Sequence, residues 1–92
     1  MIESFRHKGL RALYESDNRQ KVPAAHAEKI GRILARLNEA SKVQDMGLPG
    51  LKLHPLKGDR AGTWSVWVSG NWRITFRFES GNAFDVDLVD YH

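Results

Sequence analysis

Cysteine is missing from all 92 residues. Disulfides, zinc–thiolate sites, iron–sulfur clusters and cysteine nucleophiles are therefore excluded together. Long hydrophobic runs are missing too. The first residues, Met1-Ile2-Glu3-Ser4-Phe5-Arg6-His7-Lys8, turn charged at once without the apolar stretch of a signal peptide, and nothing later has the length of a membrane span. These absences predict a cytoplasmic protein with no membrane partner. There is no G-x-S-x-G, no P-loop, no dinucleotide glycine motif and no H-E-x-x-H, and no internal repeat or low-complexity tract. His7, His26, His54 and His92 fall at no metal-ligand spacing. A metal site would need His54 and His92 to converge with an oxygen ligand such as Asp90, so neither a metal nor a cofactor is predicted.

What is present belongs to a folded chain. The sequence is 41% hydrophobic and 27% charged, with three Trp, four Phe and two Tyr, which supports a packed core in one domain spanning residues 1–92. The net charge of +3 is a weak pointer to an anionic partner, but its distribution says more. Lys52, His54, Lys57, Arg60, Arg73 and Arg77 are opposed only by Asp59, whereas Glu79, Asp85, Asp87 and Asp90 follow with no Lys or Arg among them. On charge alone, cross-strand pairing between solvated faces accounts for such a pattern somewhat better than a nucleic-acid surface does.

The hydrophobic periodicity changes once along the chain. Ile2 to Phe5 suits a short strand, and Leu10, Leu13 and Tyr14 then recur at helical spacing over Gly9 to Ser16. Pro23 suits the first turn of a longer helix, in which Ile30, Ile33, Leu34 and Leu37 form the apolar stripe as far as about Ser41. Val43 to Met46 suits a further turn before Gly47-Leu48-Pro49-Gly50 breaks the pattern. Strands follow. Leu51 to Leu56 reads as one, with Leu51 and Leu53 opposite in direction to Lys52 and His54. Trp64, Val66 and Val68 form one inward set, Trp72, Ile74, Phe76 and Phe78 a second, and Phe84, Val86 and Leu88 a third. Keeping the first two sets on one face requires an odd loop such as Ser69-Gly70-Asn71, because a two-residue Gly-Asn turn would instead bury Trp67. A second odd loop near Gly81 would set Arg77 across from Asp85 as a structural pair. The predicted class is α+β: an N-terminal short strand and helices packed on one face of a mainly antiparallel twisted sheet.

The polar residues left on the other face suit RNA cleavage without metal, in which the ribose 2′-OH attacks its own phosphate. That reaction needs a base, an acid, and fixed positive charge on the phosphoryl oxygens. His54, Asp90, Tyr91 and His92 can fill the first two roles, and Lys57, Arg60 and Arg73 the third; imidazole is suited because it titrates near neutrality. Each has a plainer reading as well. His54 beside Pro55 reads as a partly exposed strand residue, Lys57 and Arg60 as solvated turn residues, Arg73 as the partner of a sheet carboxylate, Trp67 as core rather than a base-stacking platform, and Asp90-Tyr91-His92 as a frayed tail. On residues alone, an enzyme and an RNA-binding module stand level.

A resemblance separates them. Ile2-Glu3-Ser4-Phe5-Arg6-His7-Lys8-Gly9-Leu10, Lys52-Leu53-His54-Pro55-Leu56-Lys57-Gly58-Asp59-Arg60, Gly62-Thr63-Trp64-Ser65, Asn71-Trp72-Arg73-Ile74-Thr75-Phe76 and the terminal Asp90-Tyr91-His92 occur in order. Together they resemble the HigB toxins, within the RelE-like fold of ribosome-dependent messenger RNA interferases. The resemblance implies an endoribonuclease toxin that enters the A site of the 70S ribosome, contacts 16S ribosomal RNA and cuts the mRNA codon there. Its catalytic positions fall on His54, Asp90, Tyr91 and His92, with Lys57 and Arg73 as phosphate-binding or transition-state-stabilising residues. Lys52, Arg60, Arg77 and Trp67 on the strands, and Arg6, Lys8, Arg11, Arg19 and Lys21 in the helical part, become candidates for RNA contact. The resemblance also implies a HigA-like helix-turn-helix antitoxin, through which alone the toxin meets operator DNA. A non-catalytic regulator that binds RNA, the ribosome or the antitoxin, and a gyrase-directed toxin, are the alternatives on the same fold.

Overall fold

The computed structural model describes residues 1–91; the predicted active-site residue His92 lies outside them. Helix α1 spans Lys8–Ser16, and its first turn is capped by the His7 ring, whose Nδ1 accepts from the Leu10 N–H at 3.1 Å. It stops at Asp17, which enters the left-handed region at φ 52° and donates its N–H back to the last turn. Helix α2, Ala27–Glu39, starts later than Pro23 because a 3₁₀ turn over Ala24–His26 comes first. It also ends before Ser41. The N–H groups of Ser41 and Lys42 turn aside to the Asp45 carboxylate at 3.0 and 3.2 Å, which closes the separate 3₁₀ turn Val43–Met46.

Four strands form one antiparallel sheet in sequence order: β1 His54–Pro55, β2 Thr63–Ser69, β3 Trp72–Glu79 and β4 Asn82–Asp90. The strand expected over 51–56 is reduced to two residues. Lys52 takes a left-handed backbone at φ 51°, which breaks the extended run, and Pro55 has no N–H to continue the ladder. Ile2 and Phe5 do not form a regular strand either. They make isolated parallel bridges to Ala83 and Val86, so the N-terminal segment runs beside β4.

Both hairpins close on two-residue turns, against the odd loops expected. Ser69 pairs with Trp72 around Gly70-Asn71, and Glu79 with Asn82 around Ser80-Gly81, where φ of 51° and 81° gives the primed turn that matches strand twist. Each turn is offset by a bulge that restores the face. Between Trp67 and Ser69 the register shifts by one, so Val66 and Val68 stay inside and Trp67 stays out. Between Thr75 and Arg77 the extra residue falls on β4 at Asp85, with φ 54°, and its N–H, lost to the ladder, is taken by the Ser4 hydroxyl at 2.9 Å. That bulge also corrects the third inward set. Ala83 is fully buried in place of Phe84, which faces out opposite Arg77, while Val86 and Leu88 remain inside.

The core lies between the two helices and the inner face of the sheet, around Leu10, Ile30, Leu34, Leu37, Val66, Ile74, Phe76 and Val86. Helices cover one face only, which leaves the other as a platform. No helix among the described residues is long and apolar enough to cross a membrane.

Candidate active site

Register sorts the outer face into transverse rows. His54 pairs with Ser65, Ser65 with Thr75 and Thr75 with Asp87, so one row crosses all four strands. On one side of it lie Trp67, Arg73 and Val89; on the other lie Thr63, Arg77 and Phe84. Alternation within each strand suggested which residues point out. Only the register shows which stand side by side, and it draws in Thr75 and Asp87, which sequence reasoning passed over.

His54 is exposed on the two-residue strand β1, where Pro55 follows it and Lys52 turns back two residues before it. Its ring Nδ1 lies 2.9 Å from the Lys52 carbonyl oxygen. A carbonyl only accepts, so this bond requires the proton on Nδ1; in the neutral ring Nε2 then carries the free lone pair. Lys57 is exposed at the start of the 3₁₀ turn Gly58–Arg60. From that turn Arg60 reaches over the face and donates to the Thr75 hydroxyl at 3.3 Å. Thr75 and Ser65 beneath are both buried, and Ser65 Oγ has no hydrogen-bond partner among the described residues.

Arg73 is held at the end of the sheet. Its Nη1 donates to the carbonyls of Gly70 and Trp72 at 3.0 and 3.2 Å, neither of which neutralises its charge. Trp67 is half-buried beside it, with the Lys52 and Lys29 ammonium groups 4.6 and 5.1 Å from its ring centroid. Trp67 therefore lies outside the core, on the sheet face that carries Arg73. Arg77 makes the expected pair with Asp85 at 3.0 Å and a second with Glu79 at 3.2 Å, and the hydrogen bond it donates to Asp85 raises its pKa above the ordinary arginine value.

The last described residues reach the Arg73 end of the sheet through the β3–β4 ladder. Asp90 stands opposite Trp72, and the Tyr91 N–H donates to the Asn71 carbonyl at 2.8 Å, beside the turn that holds Arg73. The remaining cations are dispersed. Arg11 and Arg19 pair locally with Glu15 and Asp17 at 3.2 and 3.7 Å, and Lys8 and Lys21 are exposed in or beside the helical layer. Arg6 differs, since it shares a cleft with Arg60 and Arg77. No three His, Asp or Glu side chains converge as metal ligands among the described residues.

Three comparisons bear on this geometry. Residues 3–92 match the family of RelE-like toxins of the type II toxin–antitoxin system HigB. An endoribonuclease HigB of Proteus vulgaris is 45% identical over 92 residues, the full length of both chains. A toxin HigB-1 of Vibrio cholerae serotype O1 is 29% identical over 90 residues, covering 96% of this chain and 95% of that one.

Proposed function

Since the chain belongs to the HigB family of RelE-like toxins of type II toxin–antitoxin systems, we propose that it is an endoribonuclease that cuts mRNA in the A site of the 70S ribosome and so arrests translation in the cytoplasm. The observation that carries this reading is the state of His54. It is exposed on an uncovered sheet face, its Nδ1 is committed to the Lys52 carbonyl, and its Nε2 is left to accept a proton.

The reaction follows from that lone pair. His54 Nε2 takes the proton of the ribose 2′-OH, whose oxygen attacks the adjacent phosphorus. The bond to the 5′-oxygen breaks and that oxygen takes up a proton, leaving a 2′,3′-cyclic phosphate and a 5′-hydroxyl. Lys57 and Arg73 hold the phosphoryl oxygens as negative charge accumulates on them. Asp90, Tyr91 and His92 supply the acid, and the tie between Tyr91 and Asn71 supports this by keeping Tyr91 beside the turn to which Arg73 donates. Lys52, Trp67, Arg60, Arg77 and Arg6 contact the RNA strand. Lys8, Arg11, Arg19 and Lys21 face 16S ribosomal RNA, and the exposed ion pairs of Arg11 and Arg19 leave their charge largely available.

The partner is an antitoxin of the HigA-like helix-turn-helix kind, through which the pair reaches operator DNA. The test is incubation of the purified protein with ribosomes programmed with a reporter mRNA. Codon-phased cuts ending in a cyclic phosphate, absent with His54→Ala and with loss of His92, are expected. Stable ribosome binding with intact mRNA would overturn the enzymatic reading and leave a binding regulator.

A further inference from the structure

Three arginines that are far apart in sequence line one small cleft on the outer face. Arg77 comes from β3, Arg60 from the 58–60 turn, and Arg6 from the N-terminal segment tied to β4 by its N–H to the Val86 carbonyl at 2.9 Å. The hydroxyl-bearing Thr63 and Thr75 and the carboxylates of Asp59 and Asp85 complete the lining, so the cleft has one more positive than negative charge. Its volume is about 170 Å³, below the roughly 300 Å³ at which pockets begin to hold drug-sized ligands, and it suits a tetrahedral anion rather than a nucleoside.

The arginines are not all consumed by structure. Asp85 and Glu79 engage Arg77, but Arg60 spends one N–H on a neutral hydroxyl, and the Arg6 guanidinium makes no hydrogen bond or ion pair among the described residues. Guanidinium donors held in this way match the oxygens of a phosphodiester. Position adds the rest. Arg73 and Arg77 share a face four residues apart on β3, about 13 Å along the strand, and the His54 row lies between them.

We propose that the Arg6–Arg60–Arg77 cleft is a phosphodiester subsite that holds a non-reacting phosphate of the RNA strand, on the far side of His54 from Arg73. The inference rests on the ribonuclease reading above and adds to it a path: the RNA crosses the face along β3, gripped on both sides of the reacting centre.

The test uses the full chain on programmed ribosomes whose A-site mRNA carries one neutral methylphosphonate linkage, moved a position at a time. With ordinary mRNA, Arg60→Ala should raise the half-saturating toxin concentration about tenfold, keep the maximal single-turnover rate within about twofold, and lower the salt slope by about one. One linkage, away from the cut, should weaken the wild type similarly and weaken Arg60→Ala no further. Arg6→Ala, at an exposed position, should reproduce the effect if Arg60→Ala proves poorly folded by thermal melting. Losses that add to the Arg60→Ala defect at every linkage would overturn the subsite while leaving the ribonuclease reading intact. A wild-type protein that cuts no programmed mRNA would overturn both.

Discussion

Trp67 and Arg73 converge on a single acceptor: the indole Nε1 and the guanidinium Nη1 both donate to the Gly70 carbonyl, at 2.9 and 3.0 Å. The bulge after Trp67 makes this possible, because it brings the two-residue turn back beneath two side chains that already face each other across β2 and β3. Both side chains are thereby anchored to the same turn, and the Trp67 bond helps to hold in place the carbonyl on which Arg73 rests. Replacing it by Phe keeps a ring and removes the N–H. Trp67→Phe should slow single-turnover cleavage about fivefold, the equivalent of one ordinary hydrogen bond, with little change in half-saturating concentration. An unchanged rate would show that Arg73 needs no such support.

Loss of the imidazole at position 54 should be far more costly to activity than to stability. His54→Ala is expected to lower cleavage on programmed ribosomes by about 10²- to 10⁴-fold, the range of a general base, while changing unfolding free energy by no more than about 0.5 kcal/mol at this exposed site. Quench-flow cleavage and urea melts separate the two effects.

Gly9 is required for packing. A Cβ at this position meets the Lys21 carbonyl oxygen as well as the His7 ring and Lys21 Cβ, and a backbone carbonyl cannot swing aside as a side chain can. Although alanine is the better helix former, Gly9→Ala should destabilise the fold by about 1–3 kcal/mol as overpacking of α1 against the loop that follows it. Equilibrium denaturation measures this directly.

Asp45 links stability to pH. The backbone N–H groups of Ser41 and Lys42, joined by the Ser41 hydroxyl, hold its carboxylate pKa below the ordinary 3.8. The folded state thus favours the charged form, so its contribution is fully present above the unfolded-state value and is lost as pH falls through the lowered folded value. Asp45→Asn should melt below the wild type at pH 7, with the gap closing as the solution is acidified past 3.8. A gap that persists unchanged in acid would place its origin elsewhere.

Apolar spacing was sufficient for much of the fold. Ile30, Ile33, Leu34 and Leu37 declared one helix face, and Ile74 and Phe76 declared one strand face, because burial imposes the element's own period on the sequence. The hairpins were less legible. Parity demands one extra residue in each, and the sequence does not say whether it enters the loop or the strand; in both it enters the strand as a bulge, at Val68 and at Asp85. The same ambiguity hid Ala83, which is small enough to pass unnoticed beside Phe84, yet it is the residue that packs.

The candidate chemistry divides along the same line. His54, Lys57, Arg73 and the terminal Asp90-Tyr91-His92 were marked by residue type, order and family resemblance, since proton transfer and phosphate binding need particular functional groups wherever they sit. The chain alone determined the helix-then-sheet order, the apolar faces and the absence of cysteine chemistry. The tertiary structure decided that the His54 ring turns Nδ1 to a carbonyl, that Trp67 shares an acceptor with Arg73, and that Arg6, Arg60 and Arg77 surround one cleft. Those relations join residues separated by as much as 71 positions, and they depend on strand register and bulges, which are set by the packing of the whole sheet rather than by any local stretch of sequence.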